Sequence, residues 1–159
     1  MSGQVLTQQI DREGPALQGW VSFLRAHAAV LKQANAYLQQ HGLTINDYEV
    51  LLHLARAEDR RLRRVDLAER ILLTPSGITR LLNGLEQAGY VGRAHCETDA
   101  RVTYAVLTDA GYEKLREAAP THLESIDAVF ARRFSEEELD TLASLLGRLS
   151  EADDPLPCA

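Results

Sequence analysis

The chain has 159 residues, 45% of them hydrophobic and 25% charged, proportions ordinary for a soluble globular protein with one domain and a real core. No run of about 18 apolar residues occurs, which excludes a membrane-spanning helix. The net charge of −6 argues against non-specific nucleic-acid binding by the whole molecule.

That charge is unevenly spread. Residues 56–101 hold nine arginines against seven acids, while the remainder holds eight basic residues against sixteen acids. A basic segment on an acidic body confines phosphate attraction to one surface, although a solvated arginine face would give the same count. Cys96 and Cys158 are few and unpatterned, which suits a reducing cytoplasm rather than a disulfide framework. The opening MSGQVLTQQIDREG lacks the basic start and apolar core of a signal peptide, so a cytoplasmic protein is expected.

Residues 1–14 are polar and aperiodic and read as a flexible arm. From Pro15 to about Gln40 the heptad leucines Leu17, Leu24, Leu31 and Leu38 predict a long helix that packs in a bundle or a dimer. His41-Gly42 ends it. Either Thr44 or Asn46 can cap the next helix, which is apolar almost all round and therefore central. DRRLRRVD is expected to give one edge strand at Leu62, and Val65 to Ile71 a short helix with Leu67, Ala68 and Ile71 inward.

LTPSGITRLLNGLEQAGYV carries the clearest signals. Thr74 can cap, Pro75 fits the first helical position, and Gly89 suits the C-terminal stop. Ile78, Leu81, Leu82, Leu85 and Ala88 form the apolar stripe. Ser76, Thr79, Arg80 and Asn83 recur at i, i+3, i+4 and i+7, so they share the opposite face. A helix that packs on one side and offers donors and acceptors on the other is what reading a DNA groove requires. Arg80 suits bidentate pairing with guanine O6 and N7, and Asn83 with adenine. Ser76 and Thr79 suit a base or a phosphate, and the capping Thr74 joins the same candidate set.

Tyr90 to Arg93 and Val102 to Leu107 read as two strands around the polar loop AHCETDA. Helix–turn–helix followed by a hairpin is a winged helix. Thr108 then caps a further helix, in which Pro120 predicts a bend or break near Ala119 and whose pattern reaches Arg132 or Arg133. Ser135 with Glu138 makes a capping-box start for a last helix striped by Leu139, Leu142, Leu145, Leu146 and Leu149. DDPLPCA is a loose tail. Apolar-striped helices at both ends of a small reading module suggest burial against a second copy.

In order and spacing, SGITRLLNGLEQAGYV, Asp99-x-Arg101 and Leu107-Thr108-x-Ala110-Gly111 resemble the MarR family of bacterial winged-helix regulators. The resemblance spans roughly residues 15–150. It implies a mainly α fold with a small β-hairpin wing: a single domain over 15–151, with dimerisation helices at about 15–41 and 109–151 and a winged-helix module at about 45–107, then a tail at 152–159. It also implies a homodimer on double-stranded DNA, with the recognition helix in the major groove and Arg101, oriented by Asp99, in the minor groove. A repressor, less often an activator, released from a palindromic operator by a small molecule or an oxidant is the implied function. Arg93 would serve a phosphate or the ligand pocket, and Arg60, Arg61, Arg63 and Arg64 are phosphate candidates.

The family's effector pocket lies between the dimer helices and the winged module, where Trp20, His27, Tyr37, Asp47, His53 and Tyr112 are available. Aromatics with a donor suit a phenolic or aromatic carboxylate ligand; packed core or interface is the alternative for each. Cys96, in the wing, would block DNA contact if modified, or is a solvent-exposed bystander; the first helix lacks the cysteine of the family's peroxide sensors. The five histidines show no close-spaced metal motif, and no cofactor is expected. No Gly-rich phosphate loop, HExxH or GxSxG occurs, which disfavours an enzyme. The competing reading is a winged-helix module used only for protein contacts.

Overall fold

The computed structural model describes residues 14–95 and 102–150. In chain order these form α1 (Pro15–Leu38), a 3-10 turn (Gln39–His41), α2 (Ile45–Arg56), a second 3-10 turn (Glu58–Arg60), β1 (Arg61–Arg63), α3 (Arg64–Arg70), α4 (Pro75–Gln87), β2 (Val91–His95), β3 (Thr103–Leu107), α5 (Asp109–Val129) and α6 (Glu136–Ser150). The expected arm and tail, and Cys96, Asp99 and Arg101 of the wing loop, lie outside the described residues.

Local chemistry sets most of the helix starts. Thr44 closes a full capping box with Asp47: its hydroxyl accepts from Asp47 N, and Thr44 N donates to the Asp47 carboxylate at 2.8 Å. Thr74 Oγ1 accepts from Gly77 N at 3.1 Å, and Thr108 Oγ1 from Gly111 N at 3.0 Å. Ser135 and Glu138 exchange reciprocal bonds at the start of α6. At the other end of α4, Gly89 adopts φ 77°, Gly89 N donates to Glu86 O and Tyr90 N to Leu85 O. This is the left-handed exit that lets the chain reverse into β2.

One core joins the elements. Leu38, Val50, Leu51, Leu54, Leu67 and Leu82 are fully buried, and Ala105, Leu107, Leu115 and Ala118 continue the cluster onto the sheet and α5. α2 lies at its centre, as its all-round apolar sequence predicts. The sheet is antiparallel in the order β1-β3-β2. Leu62 faces Ala105 across β1 and β3, and Arg93 faces Ala105 from β2.

Two expectations change. α5 does not break at Pro120: it runs unbroken from Asp109 to Val129, ending short of Arg132. Pro120 and Arg116 are both exposed, on the solvent side of the helix, and packing of α5 against α1 and α2 keeps it continuous across the hydrogen bond that proline removes. Ala88 is exposed rather than part of the α4 stripe, because the helix has already turned toward Gly89.

Candidate nucleic-acid interface

α3, the turn at residues 71–74 and α4 form a helix–turn–helix. The turn is tight: Leu72 N donates to Glu69 O, and Leu73 N to Ala68 O. Leu72 takes φ 55° and is 91% exposed, so a leucine occupies a left-handed position that glycine usually fills. α4 buries Ile78, Leu82 and Leu85 beneath it.

On the outer face Ser76, Thr79 and Arg80 are exposed, and Asn83 is half-buried. Thr79 Oγ1 donates to its own helix at Pro75 O, which leaves its lone pairs outward. Thr74 and Ser76 hydroxyls lie 3.2 Å apart at the helix start. Arg80 makes no hydrogen bond or ion pair among the described residues. A guanidinium with five donors and no internal acceptor is available to an external one.

Asn83 is different. Arg93, on β2, donates from Nη2 to Asn83 Oδ1 at 2.7 Å and from Nε to Glu86 Oε2 at 2.7 Å. The Glu86 hydrogen bond and charge hold the Arg93 pKa above its ordinary value. Arg93 is thus tied to α4 and couples the wing's first strand to the recognition helix. Ten residues separate Arg93 from Asn83, and no local pattern signals the pairing.

The arginines before α3 divide. Arg63 forms a two-pronged pair with Asp66, at 2.8 Å on both prongs. Arg60 lies 4.3 Å over the Tyr112 ring and reaches Asp109 Oδ1 at 3.3 Å. Arg61 lies over the Tyr104 ring and pairs with Asp59. Arg64 keeps Nε and Nη2 buried without a partner among the described residues.

The six residues considered for an effector do not line one cavity within the chain. Trp20 is 60% exposed on α1, and the exposed His27 stacks on Phe23. Asp47 is engaged in the α2 cap, and Tyr112 lies beneath Arg60. Tyr37 and His53 are half-buried. His122, absent from that set, packs between α5 and α2: its ring lies 4.3 Å from that of Tyr48, and burial lowers its pKa below the usual histidine value. His41 bridges to Thr121 at 2.8 Å and to Glu117 at 3.2 Å. Among the described residues no three His, Cys, Asp or Glu side chains converge as a metal site, and no helix is long and apolar enough to cross a membrane.

A helix–turn–helix with an outward polar row, flanked by an antiparallel hairpin and backed by long helices, defines the winged helix–turn–helix class of DNA-binding module. A family model described as MarR family matches residues 41–102. Over 115 residues the chain is 36% identical to the HTH-type transcriptional repressor YetL of Bacillus subtilis (strain 168), covering 72% of this chain and 68% of YetL. It is 34% identical to AbsC, a MarR family transcriptional regulator from Streptomyces coelicolor, with a TM-score of 0.78 over 85% of this chain and 91% of AbsC. Sco3205, a regulator of the same family and organism whose structure is a complex with DNA, superposes with a TM-score of 0.81 at 31% identity over 87% of this chain and 88% of Sco3205. The chain belongs to the MarR family of transcriptional regulators, which are DNA-binding proteins and not enzymes.

Proposed function

We propose that this MarR family regulator is a repressor that binds a palindromic operator as a homodimer and leaves it when a small aromatic or phenolic ligand binds. The observation that carries the DNA reading is the outward row on α4, above all Arg80, an exposed guanidinium with no intramolecular partner among the described residues. In the major groove it pairs with guanine O6 and N7. Ser76 and Thr79 supply shorter contacts to base or phosphate, and Thr74 presents the N-terminus of α4 to a phosphate. Arg101, with Asp99, is proposed for the minor groove because Asp99-x-Arg101 resembles the family's wing motif. YetL, 36% identical, is named a repressor, which supports that direction of control.

The dimer reading rests on apolar surface. Trp20, Phe23 and Leu24 of α1, Ile126 of α5, and Leu145 and Leu149 of α6 are each at least 40% exposed. Such a spread of apolar side chains is unusual for a monomer and suits helices 15–41 and 109–151 packing against a second copy. The winged module at 45–107 then projects twice, for half-sites about 10 bp apart. A ligand wedged between end helices and reader would change that spacing; Trp20, His27, Tyr37, Asp47, His53 and Tyr112 are the proposed contacts.

Fluorescence anisotropy on the protein's own upstream DNA tests the reading. Arg80→Ala and Arg101→Ala each weaken binding by roughly 5- to 100-fold at physiological salt. Unchanged binding in both variants rejects DNA readout and leaves a protein-contact module. A screen of small phenolic acids for release of that DNA tests the ligand step.

A further inference from the structure

We propose that Asn83 reads its base as a hydrogen-bond donor, through Nδ2, because Arg93 occupies its amide oxygen and Glu86 fastens Arg93. This deepens the DNA-reading function proposed above and rests on it. An asparagine amide ordinarily turns either way, and its orientation is settled only by its partners. Here the partner is a guanidinium, which has five donors and no acceptor. The amide meets it with oxygen, at 2.7 Å, and Nδ2 faces away.

Glu86 makes the arrangement durable. It lies one turn from Asn83 on α4, accepts Arg93 Nε at 2.7 Å, and its side chain is only 17% exposed. Arg93 is 48% exposed, so the hold comes from the geometry of the bond to a largely covered carboxylate rather than from shielding of both charges. The three side chains form a fixed sequence: Glu86 sets Arg93, and Arg93 sets Asn83.

Arg93 is a positioning residue in this scheme, and the consequence falls on base choice. Bidentate pairing of asparagine with adenine needs Oδ1 to accept from N6 while Nδ2 donates to N7. The remaining lone pair of Oδ1 lies beside a cation, so an adenine amino group approaching it brings positive hydrogens against positive charge. Guanine offers only acceptors, N7 and O6, on its major-groove edge. A lone amide donor beside a guanidinium favours that edge. The adenine pairing suggested by residue type gives way to guanine.

The test is selection of duplexes from a random library by the full chain, followed by sequencing. Asn83→Ala identifies the position that Asn83 reads, as the one that loses preference. At that position the wild type prefers guanine over adenine by about tenfold. Arg93→Met removes the guanidinium, frees the amide to turn, and moves the preference to adenine. Asn83→Asp keeps the bond from Arg93 but presents acceptors alone, and moves the preference to cytosine, whose N4 donates. The Asp variant preserves the link between α4 and β2, so it stands as a test even if Arg93→Met fails to fold. Adenine preference in the wild type, no position lost in Asn83→Ala, or an unchanged base in both other variants overturns the proposal while leaving DNA readout intact. A wild type that enriches no sequence overturns both.

Discussion

Replacing Gly111 by alanine is a sharp test of how the reader is joined to the helices behind it. Gly111 is buried in the first turn of α5, where β2 begins alongside. A Cβ there lies 2.1 Å from Tyr90 O, 2.9 Å from Tyr90 C and 2.8 Å from Leu107 Cδ1. Ordinary contact starts at 3.4 Å, so the carbonyl has to retreat by about 1.3 Å. It is not free to do so, because it accepts from Thr108 N at 3.1 Å. Overpacking against backbone costs about 3 kcal/mol, and losing the Thr108 bond about 1 kcal/mol more. The better helix propensity of alanine returns about 1 kcal/mol. The net, about 3 kcal/mol, lowers the melting temperature by roughly 6–12 °C for a chain of this size. Differential scanning calorimetry at fixed protein concentration reads it. Gly84→Ala is the control: nothing lies within 4 Å of its Cβ, and it raises the melting temperature by a few degrees. Melting of Gly111→Ala within about 2 °C of wild type refutes the close approach.

Thr74→Ala removes the hydroxyl that accepts Gly77 N and costs about 1 kcal/mol, read as a lower midpoint in urea with the slope unchanged. His122 makes stability depend on pH. Its folded pKa is lowered by burial, so the unfolded chain binds more protons below the usual histidine value of 6.5, and stability falls as pH drops through that value toward the folded pKa. His122→Gln removes this component, so the wild-type minus variant difference in unfolding free energy slopes between pH 7 and the folded pKa; a flat difference contradicts it. Leu145→Glu combined with Leu149→Glu puts two carboxylates on the exposed stripe of α6 and shifts sedimentation at micromolar concentration toward a monomer mass. A double variant that keeps a dimer mass places the interface elsewhere, and a wild type that sediments as a monomer refutes the proposed dimer.

What was legible in the sequence was what nearest neighbours decide. Thr44, Thr74, Thr108 and Ser135 each announce a helix start because the cap lies within three residues of its donor. Gly89 announces a stop because its left-handed exit strains other residues. Leu62 was readable as an edge strand, but its partner β3, more than 40 residues on, was not. Local sterics at Pro120 predict a bend or a break, and of these the break does not occur, because tertiary packing keeps the helix continuous. The site showed the same division. The outward row on α4 follows from period alone, while Arg93 reaching Asn83 and Arg60 resting on Tyr112 join elements that only the fold brings together. The need for glycine at 111 depends on the Tyr90 carbonyl, which approaches from another element.

Thr108 is the only residue between β3 and α5. Its hydroxyl caps α5 and also donates to Gly89 O at 2.7 Å, while its N–H holds Tyr90 O. Strand and helix therefore meet at a corner with no spacer residue, and the start of α5 is tied directly to the base of the sheet. The five residues of β3 make an arm of about 16 Å, so a 10° rotation of α5, taken as a round figure, carries the far end of the arm about 3 Å. A displacement of that size is enough to break a hydrogen bond made at that end. A turn of the rear helices that carried the sheet with it would therefore reach the strand ends as a displacement the length of a hydrogen bond.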